Sequence, residues 1–311
     1  MIEIAPKPQG SSSRQDGFIV VTAMWLLAAL AALAVVASVY VAQSARALTA
    51  LDAAIEWDML SSAGVELAAY QLSTPSNVRR PTRGVFRFRL SNSNVTVEYL
   101  SEAARINLNL APRALIAGLF AAVGASGESA AQFADRVVAW RTAPKPTGND
   151  EEAALYGAAG LNYARRLGPF NSAEELWLVA GLPSAVVERA LPFVTVYSDL
   201  AQVNVLDAAP EVIASLPDMS PAILGAFLKE RESLPRDDPA FILGAFGGKQ
   251  PGATVSGSDA YRVRVRITRP DGREKITETV IKVLGLGERG AFRVLAWRDD
   301  LDQESPTARG R

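Results

Sequence analysis

The sequence predicts an α+β fold, in which one long N-terminal helix packs on an antiparallel sheet and a large all-helical domain is inserted among the strands. Three observations predict it. The chain carries no charged residue from Gly17 to Ala42, and an amphipathic helical pattern follows this run. Residues 84–100 and 261–297 contain segments in which apolar and polar residues alternate with period two. Between these strand groups, residues 101–250 show Ala-rich apolar periodicity of helix length.

The composition argues against catalysis and against nucleic acid as a partner. The 311 residues include 32 Lys plus Arg and 33 Asp plus Glu, for a net charge of −1, and no Cys or His. Without these two residue types the chain has no disulfide, Cys/His zinc site, thiol nucleophile or histidine base. A neutral chain also lacks the basic field that holds a polyanion. No nucleophile paired with a base is found, so we expect a protein that is not an enzyme.

Residues 18–42 are predicted to form the transmembrane half of the N-terminal helix. About 20 apolar residues span a bilayer, and a run of roughly 25 is too long for the apolar region of a signal peptide. Lys7 and Arg14 precede the run, whereas acidic residues predominate after it, which favours a cytoplasmic N-terminus. An uncleaved signal anchor is the local alternative. The Ala-x-Ala site at residues 45–47 lies beyond the run and is disfavoured for signal peptidase.

Residues 43–100 are expected to hold the amphipathic half of this helix and the first strand hairpin. One helix is predicted from Phe18 to about Leu72, ending before Pro75. Its apolar stripe packs on the sheet domain and is also the expected contact surface for partner helices. The stripe, called the α1 stripe below, consists of Leu48, Leu51, Ile55, Met59, Ala63, Leu67 and Tyr70. The hairpin joins residues 84–90 and 94–100 through residues 91–93.

The last part of the sheet domain is predicted at residues 251–297. Residues 261–267 alternate cleanly, Asp271-Gly272 supplies a two-residue turn, and further strands are expected at residues 275–284 and 292–297. Arg262, Arg264 and Arg266 share one face and are interpreted as a solvated face with cross-strand ion pairs. Residues 298–311 show no apolar period and are expected to be a disordered tail.

The inserted domain contains a weak internal repeat. Residues 106–112 and 203–210 both place an apolar-Asn-apolar triplet before Ala-Pro and a helix start. The second copy is one residue longer. Residues 179–183 are similar to the turn of helix-hairpin-helix DNA-binding modules, but Glu174, Glu175 and Glu188 surround them. A turn used for protein packing is therefore favoured over one that holds a phosphate.

A leader ends in Gly17, and Phe18 begins an uncharged helix that continues as an amphipathic helix and is followed by strands. This order of elements resembles that of type IV pilin-like proteins. Within that superfamily the inserted domain resembles the type II secretion minor pseudopilins of the general secretion pathway protein K family. The supporting segments are residues 105–112, 169–181 and 202–205. The resemblance covers nearly the whole chain and rests on the order of these motifs.

This resemblance implies processing and assembly. An inner-membrane prepilin peptidase would remove the leader, residues 1–17, by cutting between Gly17 and Phe18, and would N-methylate Phe18. The chain would be a single-pass protein of the bacterial inner membrane, with a periplasmic body. It would meet the secretion assembly platform and join other minor pseudopilins in a complex at the tip of the pseudopilus, which helps export folded proteins across the outer membrane.

Thr22 stands where most pilin-like subunits carry a glutamate that neutralises the terminal amine of a neighbouring subunit. Because a subunit with no neighbour above it gains nothing from a buried carboxylate, we interpret Thr22 as a signature of a tip subunit. The two alternative functions are a minor pilin of a type IV pilus and a membrane-tethered helix-hairpin-helix module that receives DNA.

No cofactor is expected, but a calcium site stays open as an alternative. Asp150, Glu151 and Glu152 offer oxygen ligands, and relatives in the resembled family bind calcium in the inserted domain. The spacing fits no EF-hand loop. The acidic segment usual after the tryptophan is replaced here by residues 140–144, Trp-Arg-Thr-Ala-Pro, so a solvated loop is favoured over a metal site.

Overall fold

The computed structural model describes residues 15–73, 80–143, 151–234, 238–244, 250–285 and 288–299. The chain forms two compact units, residues 1–59 and 60–311. Helix α1, Gln15–Ser73, begins in the first unit and ends in the second. The predicted long helix is thus confirmed, with its start three residues before Phe18. Pro75, the predicted stop, lies outside the described residues.

The described part of the first unit belongs to helix α1, and its segment from Phe18 to Ala42 carries no charged residue. The side chains described from Phe18 to Val41 are exposed, as expected for a segment whose surroundings are lipid or other chains. Within the part of the chain that the structure describes, α1 is the one helix long and apolar enough to cross a membrane. By its length and composition, this helix is therefore a candidate membrane anchor.

The second unit contains a five-stranded antiparallel sheet with the order β1-β2-β7-β8-β9. Its strands are β1 Arg83–Leu90, β2 Ser93–Ser101, β7 Ala260–Thr268, β8 Glu274–Val283 and β9 Phe292–Arg298. Ser91 and Asn92 alone separate β1 from β2, both with positive φ (49° and 62°), as a tight two-residue hairpin turn requires. The predicted turn, residues 91–93, was one residue too long.

The end of α1 covers the inner face of this sheet, but with other residues than the predicted stripe. Helix positions four apart are buried: Leu60, Ser61, Gly64, Val65, Ala68, Ala69 and Leu72. Leu67 and Tyr70 are 41% and 71% exposed. A Cβ on Gly64 would lie 2.8 Å from Val265 Cγ1, so the helix approaches the strands too closely for a larger side chain. The prediction that Leu67 and Tyr70 pack on the chain's own sheet was therefore wrong.

The inserted segment lies between β2 and β7 and is mainly helical. Its helices are α2 Arg113–Ala122, α3 Gly127–Arg141, α4 Glu151–Ala158, α5 Ser184–Ala190, α6 Pro210–Ala214, α7 Pro221–Glu230 and α8 Pro239–Gly244. Short 3₁₀ turns occur at Glu102–Ala104, Ala173–Leu178 and Leu191–Phe193. Two short parallel ladders were not predicted: β3 Ile106–Asn107 with β4 Val194–Thr195, and β5 Val203–Asn204 with β6 Ala253–Thr254.

The weak sequence repeat corresponds to a repeated local structure. Asn107 and Asn204 end β3 and β5, and both are buried. The side-chain oxygen of each accepts a hydrogen bond from the backbone N–H two residues later, at 2.7 and 3.0 Å. The backbone carbonyl of each accepts from the fourth residue, Ala111 or Ala208, at 2.9 Å. These Asx turns lead to Pro112 before α2 and to Pro210 at the start of α6.

Both copies continue in the same way. After the first helix of each copy a residue with positive φ, Gly124 (96°) or Asp218 (58°), precedes a serine that caps the second helix. Arginines at the ends of α3 and α7 then donate hydrogen bonds to the Asx turns. Arg141 donates to the carbonyls of Leu108 and Ala111, and Arg231 donates to the carbonyl of Ala208. The insert therefore contains two copies of one strand, turn and helix-pair unit.

Candidate functional site

The predicted processing site lies within α1. Gly17 and Phe18 are helical, and the Phe18 side chain is exposed. The Thr22 hydroxyl donates to the carbonyl of Phe18, one helical turn earlier. The polar group of Thr22 is therefore satisfied inside its own helix. Most of the predicted leader, residues 1–14, lies outside the described residues.

Most side chains of the α1 stripe are exposed among the residues that the structure describes. In the first unit Leu48, Leu51, Ile55 and Met59 are exposed, and in the second unit Leu67 and Tyr70 are exposed. Apolar helix positions that no part of the same unit covers are typical of surfaces that bind other helices. The stripe thus remains a candidate contact surface for partners.

The structure does not describe the side chains of the candidate calcium ligands. Asp150 and the side chains of Glu151 and Glu152 lie outside the described part of the chain. Among the residues that the structure does describe, no group of three or more acidic side chains is placed to hold a metal ion. Calcium at residues 150–152 therefore stays a prediction.

The turn that resembles a helix-hairpin-helix motif packs against a neighbouring helix. Gly181 has φ of 75°, and its carbonyl accepts a hydrogen bond from Arg136 on α3. In return, Arg189 on α5 donates its Nε to the carbonyl of Val123, in the turn between α2 and α3, at 2.6 Å. An arginine of the other helix pair therefore holds each of these two turns. The turns thus serve packing within the protein.

The outer face of the sheet carries the predicted cross-strand ion pairs. Arg262 and Arg264 on β7 both contact Glu278 on β8, and Arg266 contacts Glu274 at 3.4 Å. The interpretation of these arginines as a paired, solvated face is confirmed for Arg264 and Arg266, which are 47% and 43% exposed at the side chain. Arg262 is more buried, because the inserted domain covers that end of the face.

Arg262 also reaches a fully buried carboxylate that joins the sheet to the insert. Glu102 accepts from Arg262 Nε at 2.8 Å, from Arg105 Nη1 at 3.1 Å and from the Thr195 hydroxyl of β4. Burial by itself would raise the pKa of Glu102, but Arg262 and Arg105 outweigh it and hold the pKa below its usual range. Glu102 is therefore charged and fixes the position of the insert on the sheet.

Sequence reasoning missed Glu102. Its partner Arg105 stands three residues later, a local signal that could have suggested the first pair. Arg262 is separated from Glu102 by 160 residues, and Thr195 by 93. Only the three-dimensional arrangement of β2, β4 and β7 brings these groups together.

Comparisons with known proteins agree with this architecture. Residues 92–199 match the family model of the type II secretion system (T2SS) protein K. One chain in the crystal structure of the GspK-GspI-GspJ complex from the type 2 secretion system of enterotoxigenic Escherichia coli has a similar fold. The TM-score is 0.55 at 16% identity, over 82% of this chain and 98% of that chain. No curated protein sequence gives a significant match. The family match and the shared fold confirm the resemblance to the protein K family of type II secretion systems.

Proposed function

We propose that the chain is a minor pseudopilin, a structural subunit that caps the tip of the type II secretion pseudopilus and so serves the export of folded proteins across the outer membrane. The observation that carries this function is the α1 stripe, which lies exposed on a helix whose first part has the length and composition of a membrane span. A helix of this kind is suited to membrane residence followed by bundling with other helices.

The partners follow from the same surface. The solved relative is part of a complex of GspK with GspI and GspJ, so we propose other minor pseudopilins as the partners of this chain. Basic residues before the span and acids after it support a cytoplasmic N-terminus and a periplasmic body at the inner membrane. The prepilin peptidase would cut after Gly17 and methylate Phe18 before assembly.

Thr22 supports the tip position. Its hydroxyl is satisfied within α1, and the position carries no carboxylate that a neighbouring amine must neutralise. A Thr22→Glu chain should enter the shaft of the filament more often than the wild type. Cross-linking of the wild-type chain along the shaft would instead contradict the tip position.

Two measurements test the function. The mass of the mature chain should correspond to an N-methylated Phe18 at its N-terminus, and a chain that begins at Met1 or Leu48 would overturn the pilin-like assignment. Ile55→Asp should reduce copurification with the other minor pseudopilins, whereas the control Ser62→Asp, an exposed polar position of the same helix, should not. Equal copurification of both variants would remove the α1 stripe as the partner surface.

The DNA-receptor alternative is tested separately. It predicts binding of DNA by the full chain in detergent, with an affinity that falls steeply with salt. The assembly function predicts no such binding. A salt-dependent complex with duplex DNA would therefore count against the proposed function.

A further inference from the structure

Strand β1 forms one edge of the five-stranded sheet. It pairs with β2 in an unbroken register from Arg83 to Leu90, and the described residues place no strand on its other side. In an antiparallel pair the N–H and C=O groups of successive residues point alternately towards the partner strand and away from it. Leu90 closes the two-residue hairpin with Ser93 and bonds to it. The residues of β1 whose backbone groups point outwards are therefore Arg83, Val85, Arg87 and Arg89.

The opposite edge of the sheet is interrupted. β9 pairs with β8, but the register shifts between Val280 and Ile281, where Leu295 has no partner on β8. A bulge of this kind twists an edge strand and protects it from pairing with another chain. Of the two edges, β1 is therefore the one whose backbone is regular enough to accept a further strand.

The outer face of β1 is basic. Arg83 is held at 3.4 Å by the buried Asp207, and its side chain is still 47% exposed. Arg89 donates to the Asn92 side chain at 2.7 Å, and the exposed Arg87 makes no ion pair with a residue that the structure describes. The β2 residues opposite these three arginines are not acidic: Leu100, Thr96 and Asn94. The outer face of this edge therefore favours acidic side chains on a neighbouring strand.

The inner face of β1 ends in two phenylalanines. Phe86 and Phe88 are both half-buried, and their ring centroids lie 6.3 Å apart. Their partners on β2, Val97 and Val95, are by contrast fully buried. The apolar layer of the inner face is therefore incomplete at β1, where a neighbouring strand with apolar side chains on this face would cover the two rings.

A cavity of about 580 Å³ opens on the outer face beside the first half of β1. Arg83 and Val85 line it from β1, and Arg264 lines it from β7. Glu98 of β2 is also in the wall, and it lies opposite Arg264 in the β2–β7 register. The side chains of Arg83 and Arg264 are both 47% exposed. The cavity thus has room for a long acidic side chain beside exposed guanidinium groups.

We propose that β1 accepts an extended segment of another protein as an added strand, in which acidic residues alternate with apolar ones. The segment runs antiparallel to β1, as the neighbouring strands of this sheet do. Its backbone bonds to the outward N–H and C=O groups of β1. Its acids face the arginines of the outer face, and its apolar side chains cover Phe86 and Phe88.

The same charges disfavour a second copy of β1 as the added strand. Two antiparallel copies would place arginines opposite arginines on the outer face, and like charges directly opposite each other are destabilising. The proposal does not depend on the assembly function, because that function rests on the α1 stripe and this one rests on the sheet edge.

The test uses the full chain in detergent and a capped peptide as long as β1, in which glutamate alternates with valine. Amide hydrogen exchange is followed by mass spectrometry with and without the peptide. We expect the peptide to slow exchange at the outward amides of β1, which have no partner strand otherwise. Exchange in β9 should stay unchanged and serves as the internal control.

Altered peptides separate backbone pairing from charge. In an antiparallel pair the glutamates opposite the arginines direct their N–H groups towards β1. A peptide N-methylated at its glutamates keeps the charges but loses these donors, and it should not protect β1. A peptide with lysine in place of glutamate keeps the backbone donors and should bind more weakly.

Variants of the chain test the arginines in the same assay. Arg87→Glu should raise the dissociation constant of the glutamate peptide about tenfold, because it places like charges opposite each other. The matched control is Arg273→Glu, at the tip of the β7–β8 hairpin, where the side chain is 72% exposed. This control should leave the dissociation constant unchanged.

Four results would overturn the proposal. Unchanged exchange in β1 at about 1 mM glutamate peptide would show that the edge does not accept such a strand. Equal protection by the N-methylated peptide would show that charge alone holds the peptide. Equal effects of Arg87→Glu and Arg273→Glu would remove the β1 arginines as its determinant. Protection of β1 that needs no peptide and grows with protein concentration would assign the edge to a second copy.

Discussion

Two glycines of the insert give a prediction with a built-in control. Gly118 lies in α2 and Gly225 in α7, and both are inside helices. A Cβ on Gly118 would lie 2.0 Å from the backbone carbonyl oxygen of Ser215, which ends α6, whereas a Cβ on Gly225 would meet nothing within 4 Å. The same substitution to alanine should therefore have opposite effects at the two sites.

The magnitudes follow from helix propensity and from overpacking. Alanine in place of a helical glycine stabilises by about 1 kcal/mol, which is the expected gain for Gly225→Ala. For Gly118→Ala the obstacle is backbone on both sides, so no rotamer change relieves it. An overpacking cost of roughly 3 kcal/mol, less the same gain of about 1, leaves a net loss of about 2 kcal/mol. The two variants should differ by about 3 kcal/mol.

Urea denaturation of the full chain in detergent, followed by tryptophan fluorescence, measures the difference. Trp140 is buried in the core of the insert and should report its unfolding. The midpoint of Gly118→Ala should lie below that of the wild type, and the midpoint of Gly225→Ala above it. If Gly118→Ala were as stable as Gly225→Ala, the close approach of α2 to the end of α6 would be refuted.

Three further predictions concern stability in the second unit. Glu102→Gln should destabilise the chain by about 3 kcal/mol, because it removes a fully buried carboxylate that pairs with the partly buried Arg105 and Arg262. The lowered pKa of Glu102 means that its contribution is complete above the unfolded value near 4.5 and is lost as the pH falls through the folded value. Melting temperatures recorded against pH should therefore drop in acid for the wild type, and less steeply for Glu102→Gln. Arg231→Gln removes a charged donor from the carbonyl of Ala208 and should cost about 2 kcal/mol in urea denaturation, and an unchanged midpoint would contradict the role of this cap. Gly64→Ala should lower the melting temperature through a cost of roughly 1–3 kcal/mol, while Ser62→Ala on the exposed side of the same helix should leave it within about 0.5 kcal/mol of the wild type.

The long helix and the sheet were predictable from the sequence because their patterns are long and regular. An uncharged run followed by helical periodicity predicts α1, and strict alternation predicts β1, β2, β7 and β8. The short parallel ladders of the insert were not predictable. A strand of two residues, such as Ile106–Asn107, has no period, and its partner lies far away in the chain.

The face of α1 that covers the sheet was predicted wrongly for a physical reason. The prediction followed the largest apolar side chains, such as Leu67 and Tyr70, which the structure leaves exposed. The face that covers the sheet instead combines large residues such as Leu60 with small ones such as Gly64, which lets the helix backbone approach the strands closely.

The candidate site was only partly visible in the sequence. The cross-strand pairs of Arg264 and Arg266 follow from alternation, because neighbours on one face of a hairpin can be counted. The contact of Arg262 with Glu102 does not follow, because it depends on how the insert sits on the end of the sheet. A buried ion pair between residues far apart in the chain leaves no local pattern in the sequence.

The way in which the insert leaves the sheet has a consequence for how such a chain can change. Ser101, where β2 ends, is paired with Tyr261 near the start of β7, so the two ends of the insert leave from neighbouring strands. Closing that gap needs a tight turn only, and the entropy of closing a longer loop grows slowly with its length. A domain attached in this way is a detachable module. It can be exchanged, enlarged or removed while the strand order beneath it is kept, and two sheet residues, Arg83 and Arg262, would then lose their buried carboxylate partners.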